Sequence, residues 1–167
     1  MLSLVLVPVG AGRLVRTLPL VVLLASLAAA ANPTWTEQQE LTASDGFVGD
    51  QFGWSVSVSG DTAVIGAVSK NNAQGAAYVL VRGGGAWTQQ QELTAFDGAA
   101  DDQLGYSVSV SGDTAVIGAW GKAINSQLNQ GAAYVFVRSN GLWTQQQELT
   151  APDGAAGLAL RAAPAGA

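Results

Sequence analysis

The thirteen residues SVSVSGDTAVIGA stand at positions 55–67 and again, letter for letter, at 107–119. In each copy two β-prone runs meet at Gly60-Asp61 or Gly112-Asp113, and a glycine-led pair between such runs signals a tight hairpin. Pairing Ser59 with Thr62 sets the register. Val56, Val58, Ala63 and Ile65 then share one face, and Ser55, Ser57, Thr62, Val64 and Gly66 share the other. One face is wholly apolar and the other is made of small side chains. The serines therefore read as small residues for a crowded position, and the aspartates as turn formers.

The repetition extends beyond the hairpin. WTEQQELTASDG at 35–46, WTQQQELTAFDG at 87–98 and WTQQQELTAPDG at 143–154 recur with spacings of 52 and 56 residues. The difference falls in one loop, where GKAINSQLNQ before Gly131 replaces the shorter SKNNAQ of the first copy. An insertion confined to one loop is what a stacked structural unit tolerates. Between hairpin and tryptophan, GAAYVLVR (75–82) and GAAYVFVR (131–138) are apolar on both faces, as expected of a strand covered on both sides. WTQQQELT is polar except for its Trp and Leu, which suits an outer edge strand. The gradient from small to branched, then aromatic, then polar residues fits a four-stranded blade whose first strand lies near a crowded axis. The fold class predicted is all-β, a partial β-propeller of about two four-stranded antiparallel blades plus flanking strands.

Phe52-Gly53 before a Ser/Val strand and Gly66-Ala67 after it, matched by Leu104-Gly105 and Gly118-Ala119, resembles the FG-GAP repeat of integrin-α-type β-propellers. The likeness is closest to the bacterial-style variant, with DGxxxDQFGxSVSVSGDTAVIGA, GAAYVFVR and WTQQQELT, and it covers residues 35 to about 156. It implies a propeller with an extracellular interaction role. Leu104 stands where the family expects Phe, and Val68 and Trp120 where it expects Pro. Only two units are complete, about 52–94 and 104–150, preceded by an expected leading strand at 35–42. Closed propellers have about four to eight blades. The chain is therefore expected to be a fragment of a longer propeller, to assemble with other chains through exposed blade faces and edge strands, or to be marginally stable.

Composition narrows the function. Past residue 31 there are five basic residues against twelve acidic ones, net −7, which argues against nucleic acid as a partner. The sequence has no cysteine and no histidine, which removes Ser–His and Cys–His catalysis and ordinary zinc sites. Residues 1–31 place Arg13 and Arg16 ahead of a fourteen-residue apolar run that ends in small residues, the order of a secretory signal peptide. The run is shorter than the roughly 20 residues a membrane span needs. An uncleaved anchor is the alternative, because MLSLVLVPV adds a second apolar patch. Either way the protein is expected to be secreted or at the cell surface. The domain reading is signal peptide 1–31, repeats 32–156, and an Ala/Gly/Pro-biased tail at 157–167 expected to be disordered.

Few residues qualify as a site. The resemblance raises calcium, which integrin-type blades hold in an Asp-rich loop, but here that connection is only Gly60-Asp61 or Gly112-Asp113. One aspartate cannot supply the about six to eight oxygens calcium takes. Asp45, Asp50, Asp97, Asp101 and Asp102 cluster between blades, either as cation ligands or, the simpler reading, as turn formers and caps of backbone amides. Glu40, Glu92 and Glu148 recur once per copy, a blade apart, so they do not form the carboxylate pair of a glycosidase. Trp35, Trp87 and Trp143 read as pins of the outer strands, as do Trp54 and Tyr106 at another matched position. Trp120 has no aromatic counterpart and adjoins the longest loop, which makes it the candidate ligand-binding residue. No catalytic residue, metal or cofactor is expected. The function expected is a protein- or glycan-binding or scaffolding module, the alternative being a non-catalytic appendage or remnant of an extracellular propeller hydrolase.

Overall fold

The structure is a computed structural model that describes residues 36–151. The expected signal peptide (1–31), Trp35 and the expected tail (157–167) lie outside the described residues. The chain divides into two compact units, Met1–Thr36 and Glu37–Ala167, and all but one of the described residues belong to the second.

The first sheet contains β1 (Phe52–Ser59), β2 (Thr62–Ala67), β3 (Ala76–Gly83) and β4 (Ala86–Leu93), in the order β1-β2-β3-β4. A single turn, α1 (Lys70–Ala73), joins β2 to β3, with Asn71 and Asn72 in the left-handed region that asparagine tolerates. The second sheet repeats the pattern with β5 (Leu104–Ser111), β6 (Thr114–Ala119), β7 (Ala132–Ser139) and β8 (Leu142–Leu149). All neighbours are antiparallel, and Ser59 pairs with Thr62, Val58 with Ala63 and Val56 with Ile65, the register read from the hairpin. These are the two predicted four-stranded blades.

The blades stack face to face. Val64, Ala77, Val79 and Leu93 of the first share one core with Leu104, Val110, Ala115, Ile117, Tyr134, Phe136 and Trp143 of the second. The serines of β1 do more than save space. Ser57 Oγ accepts the Val110 N–H at 3.1 Å, Ser59 Oγ accepts the Gly112 N–H at 3.2 Å, and Ser55 Oγ donates to the Gly105 carbonyl at 2.6 Å. Each thus satisfies a backbone group of the next blade's inner hairpin where the ladder does not. A Cβ on Gly66 would collide with the Gly105 carbonyl oxygen, so the "GA" glycine marks where one blade's backbone touches the next.

The outer strands are clamped by glutamine. Gln91 Nε2 donates to the Trp143 carbonyl at 2.7 Å, and its Oε1 accepts the Trp143 N–H at 2.9 Å. Gln145 Oε1 accepts the Phe96 N–H at 3.0 Å. The same clamp joins the leading segment to blade 1: Gln39 grips both backbone groups of Trp87 (2.9 and 2.8 Å), and Gln89 accepts the Ser44 N–H at 2.8 Å. Residues 37–44 therefore occupy the place of a preceding blade's outer strand.

Among the described residues, the flanking strand expected at 35–42 does not form: residues 36–43 belong to no ladder. A strand needs a backbone neighbour, and the inner strands that would pair with this segment are not among the described residues. It is held by side chains instead, with Leu41 and Ala43 packed against the cluster of Ala63, Ile65, Tyr78 and Leu80.

Candidate functional site

Three aromatic rings meet where the inner strands begin. Trp54 of β1 lies 5.7 Å from Tyr106 of β5, and Tyr106 stacks on Trp120 at 6.0 Å with planes 26° apart. Trp54 is half exposed, and Tyr106 and Trp120 are half-buried. The local cause is a register break, between Phe52 and Val56 in β1 and between Leu104 and Ser107 in β5. Gly53 and Gly105 sit in these breaks at φ +93° and +90°, which favour glycine. Such irregularities bend a strand and re-aim a side chain. Trp120 arrives from the loop after β6. The sequence singled out Trp120 but read Trp54 and Tyr106 as strand pins. Their common place after the FG and LG dipeptides was the signal that they share an end of the blades.

The acidic loops hold a cation that belongs to the protein. Lys122 Nζ lies 2.8 Å from Asp97 and 3.1 Å from Asp102, and it donates to the Asp97 carbonyl at 2.7 Å. In the first copy Lys70 Nζ lies 2.8 Å from Asp45 and 3.6 Å from Asp50. Asp50 also accepts the Phe47 N–H and Asp102 the Ala99 N–H, both at 2.8 Å, so these two cap their loops. Asp101 is exposed and donates its N–H to the Asn72 carbonyl of the other blade.

The electrostatics follow from these contacts. The hydrogen bond from Lys70 holds the Asp45 carboxyl below the usual carboxylate range and in turn raises the Lys70 ammonium. Burial works to raise Asp97, but hydrogen bonds from Lys122 and from Tyr134, whose hydroxyl donates at 2.9 Å, outweigh it and hold Asp97 low. Burial opposes the charge on Lys122, and Asp97 and Asp102 overcome it, leaving the ammonium raised. Burial pushes the Tyr78 hydroxyl up to about 12. Lys70 and Lys122 are the only lysines of the chain, each at the end of a Gly-Ala-x-x-Lys stretch. That repeated spacing was the legible clue to the ion pairs, and sequence reasoning passed over it.

At the other end of each blade the turn aspartate is also paired. Asp61 binds Arg82 at 2.7 Å and Asp113 binds Arg138 at 2.7 Å. The two guanidinium groups lie over Trp87 and Trp143, 5.3 and 5.2 Å from the ring centroids. The outer-strand tryptophans are thus pinned by arginine. Burial also raises the Glu92 carboxyl, with Asp45 adding to the effect.

With two like blades, the FG/LG register breaks and the close Gly66–Gly105 contact in view, the sequence compares directly with known repeats: FG-GAP repeats match residues 35–80 and 87–136. The chain belongs to the FG-GAP repeat family. Among curated proteins, none matches this sequence. In this FG-GAP repeat protein the glycines that name the motif have structural work at the blade junction, and the aromatic residues after them form a partly exposed row.

Proposed function

We propose that the chain is a secreted or surface-exposed binding module that holds a protein or a glycan against the row Trp54, Tyr106 and Trp120. One observation carries this reading: three rings from three separate segments gather on a frame of stacked sheets, with Trp54 half open to solvent. Trp and Tyr offer large contact areas for little loss of side-chain freedom and dominate binding energies where they cluster. Both lysines and Arg82 and Arg138 are already paired with aspartate, which leaves none of these four cations free to form a competing charged surface. We assign the module no catalysis of its own: the sequence offers no histidine to activate a hydroxyl, and the repeated glutamates stand one per copy.

FG-GAP repeats usually occur in extracellular proteins, and the leader-like order of residues 1–31 supports the same address. Among the described residues, no helix is long and apolar enough to cross a membrane. The test is retention of the protein on immobilised neutral and acidic polysaccharides and on surface proteins of the producing cells. Trp54→Ala and Trp120→Ala are each expected to weaken retention about tenfold. Retention unchanged in both variants would remove the aromatic row from the reading.

A further inference from the structure

The two open sides of the described blades carry the two halves of an interface that already exists between them. The leading side of blade 1 exposes Val56 (58%) and Val58 (59%), whereas the same positions in blade 2, Val108 and Val110, are half-buried and buried against blade 1. On the trailing side the relation reverses. Leu93 of blade 1 is 1% exposed, and its counterpart Leu149 is 41% exposed. Val64 and Val79 are fully buried, and Val116 and Val135 only half so. Because SVSVSGDTAVIGA and AAYVxVR are shared, the trailing face of blade 2 is built to receive what the trailing face of blade 1 receives.

The places where the copies differ also match across these sides. In the observed junction the loop before β5 seats on the turn after β2: Gln103 and Leu104 donate their N–H groups to the Ala73 and Gln74 carbonyls. The equivalent loop before β1 carries Phe47 (79% exposed) and Val48 (92%) where blade 2 has Ala99 and Ala100. The equivalent loop after β6 is longer by four residues and exposes Leu128 (71%). The leading side therefore carries bulkier apolar groups, and the trailing side a longer loop that presents Leu128.

We propose that the occupant of both sides is a second copy of this chain, joined head to tail, with the trailing face of blade 2 against the leading face of the next copy's blade 1. One segment must yield at that junction, because residues 37–44 already hold the outer-strand place. The leading segment yields, since it belongs to no ladder, whereas β8 is paired with β7 from Ala133–Leu149 to Ser139–Leu142. In the sequence, Asp153 occupies the repeat position of Asp45. A head-to-tail contact closes into a ring when its rotation permits, and propellers of about four to eight blades correspond to about two to four copies.

The experiment is the mass of the purified protein by light scattering at about 100 μM, where even a micromolar junction is filled. The expected result is a discrete species of two to four chains. Val58→Asp blocks the leading side and Leu128→Asp the trailing side, and both residues face solvent in the single chain, so both variants fold. Each variant alone is expected to be a single chain. An equimolar mixture is expected to form a two-chain species and nothing larger, because one intact leading side remains for one intact trailing side. Leu41→Asp loosens the leading segment and is expected to strengthen association several-fold. A single-chain mass for the unaltered protein, oligomers that survive either blocking variant, or a mixture that stays single-chain overturns the proposal. Weaker association of Leu41→Asp overturns the displacement of the leading segment.

Discussion

The Lys122 ammonium lies 3.1 Å from the Asp102 carboxylate, and both side chains are almost closed off from water at 8% and 7% exposure. Removing one partner of such a pair strands a charge in a poorly hydrated place, which is far more damaging than losing a surface pair. Lys122→Met keeps the stem and removes the charge, and it is expected to cost about 3 kcal/mol of unfolding free energy in urea titrations. Lys70→Met should cost less, because Asp45 is 47% exposed and Asp50 15%.

Stability should fall at both ends of the pH scale. The Asp45 and Asp97 carboxyls are held below their unfolded values, so the unfolded chain binds more protons, and their contribution is present above about pH 4 and lost as pH falls through the folded values. Glu92 is raised and acts in the opposite sense over the carboxylate range, softening the acid limb. On the alkaline side Lys70, Lys122 and Tyr78 are raised, so their contribution is complete below about pH 10 and is lost as pH rises toward and beyond 12. Melting temperature against pH tests this, and Lys122→Met should flatten the acid limb.

Gly66→Ala adds one methyl group where the Gly105 carbonyl of the next blade already sits. Backbone cannot swing aside as a side chain can, so the blades must part and loosen the Ser55 bond to Gly105. Overpacking of this kind is expected to cost roughly 3 kcal/mol, read from thermal or urea unfolding. A loss under about 0.5 kcal/mol, the range of a neutral surface change, would contradict the close approach.

Leu93 and Leu149 offer a comparison at one repeat position. Leu93→Ala empties a site that is 1% exposed and is expected to cost about 3 kcal/mol. Leu149→Ala, at 41% exposure, should cost under about 1 kcal/mol in the dispersed chain. Urea unfolding at low protein concentration measures both.

Much of this was readable in the letters. The Gly60-Asp61 pair and the alternation around it set the hairpin register, and the repeat of tryptophan motifs set the blade count, because period and turn chemistry are local properties. Of the two readings the sequence offered for the loop aspartates, the capping one describes Asp50 and Asp102, which accept backbone N–H groups. Their lysine partners were not seen, because Lys122 lies 25 and 20 residues from the carboxylates it joins and only the fold brings them together.

The sequence by itself determined the blade: which residues pair, which face is apolar, and where each strand turns. It could not say which copies of an identical residue would be buried. Val58 and Val110 carry the same side chain in the same local surroundings, yet one is 59% exposed and the other 2%, because a sheet face is buried only by what packs on it. The tertiary structure decided that, along with the meeting of Trp54, Tyr106 and Trp120, since contacts between blades depend on stacking and not on the order of letters within one.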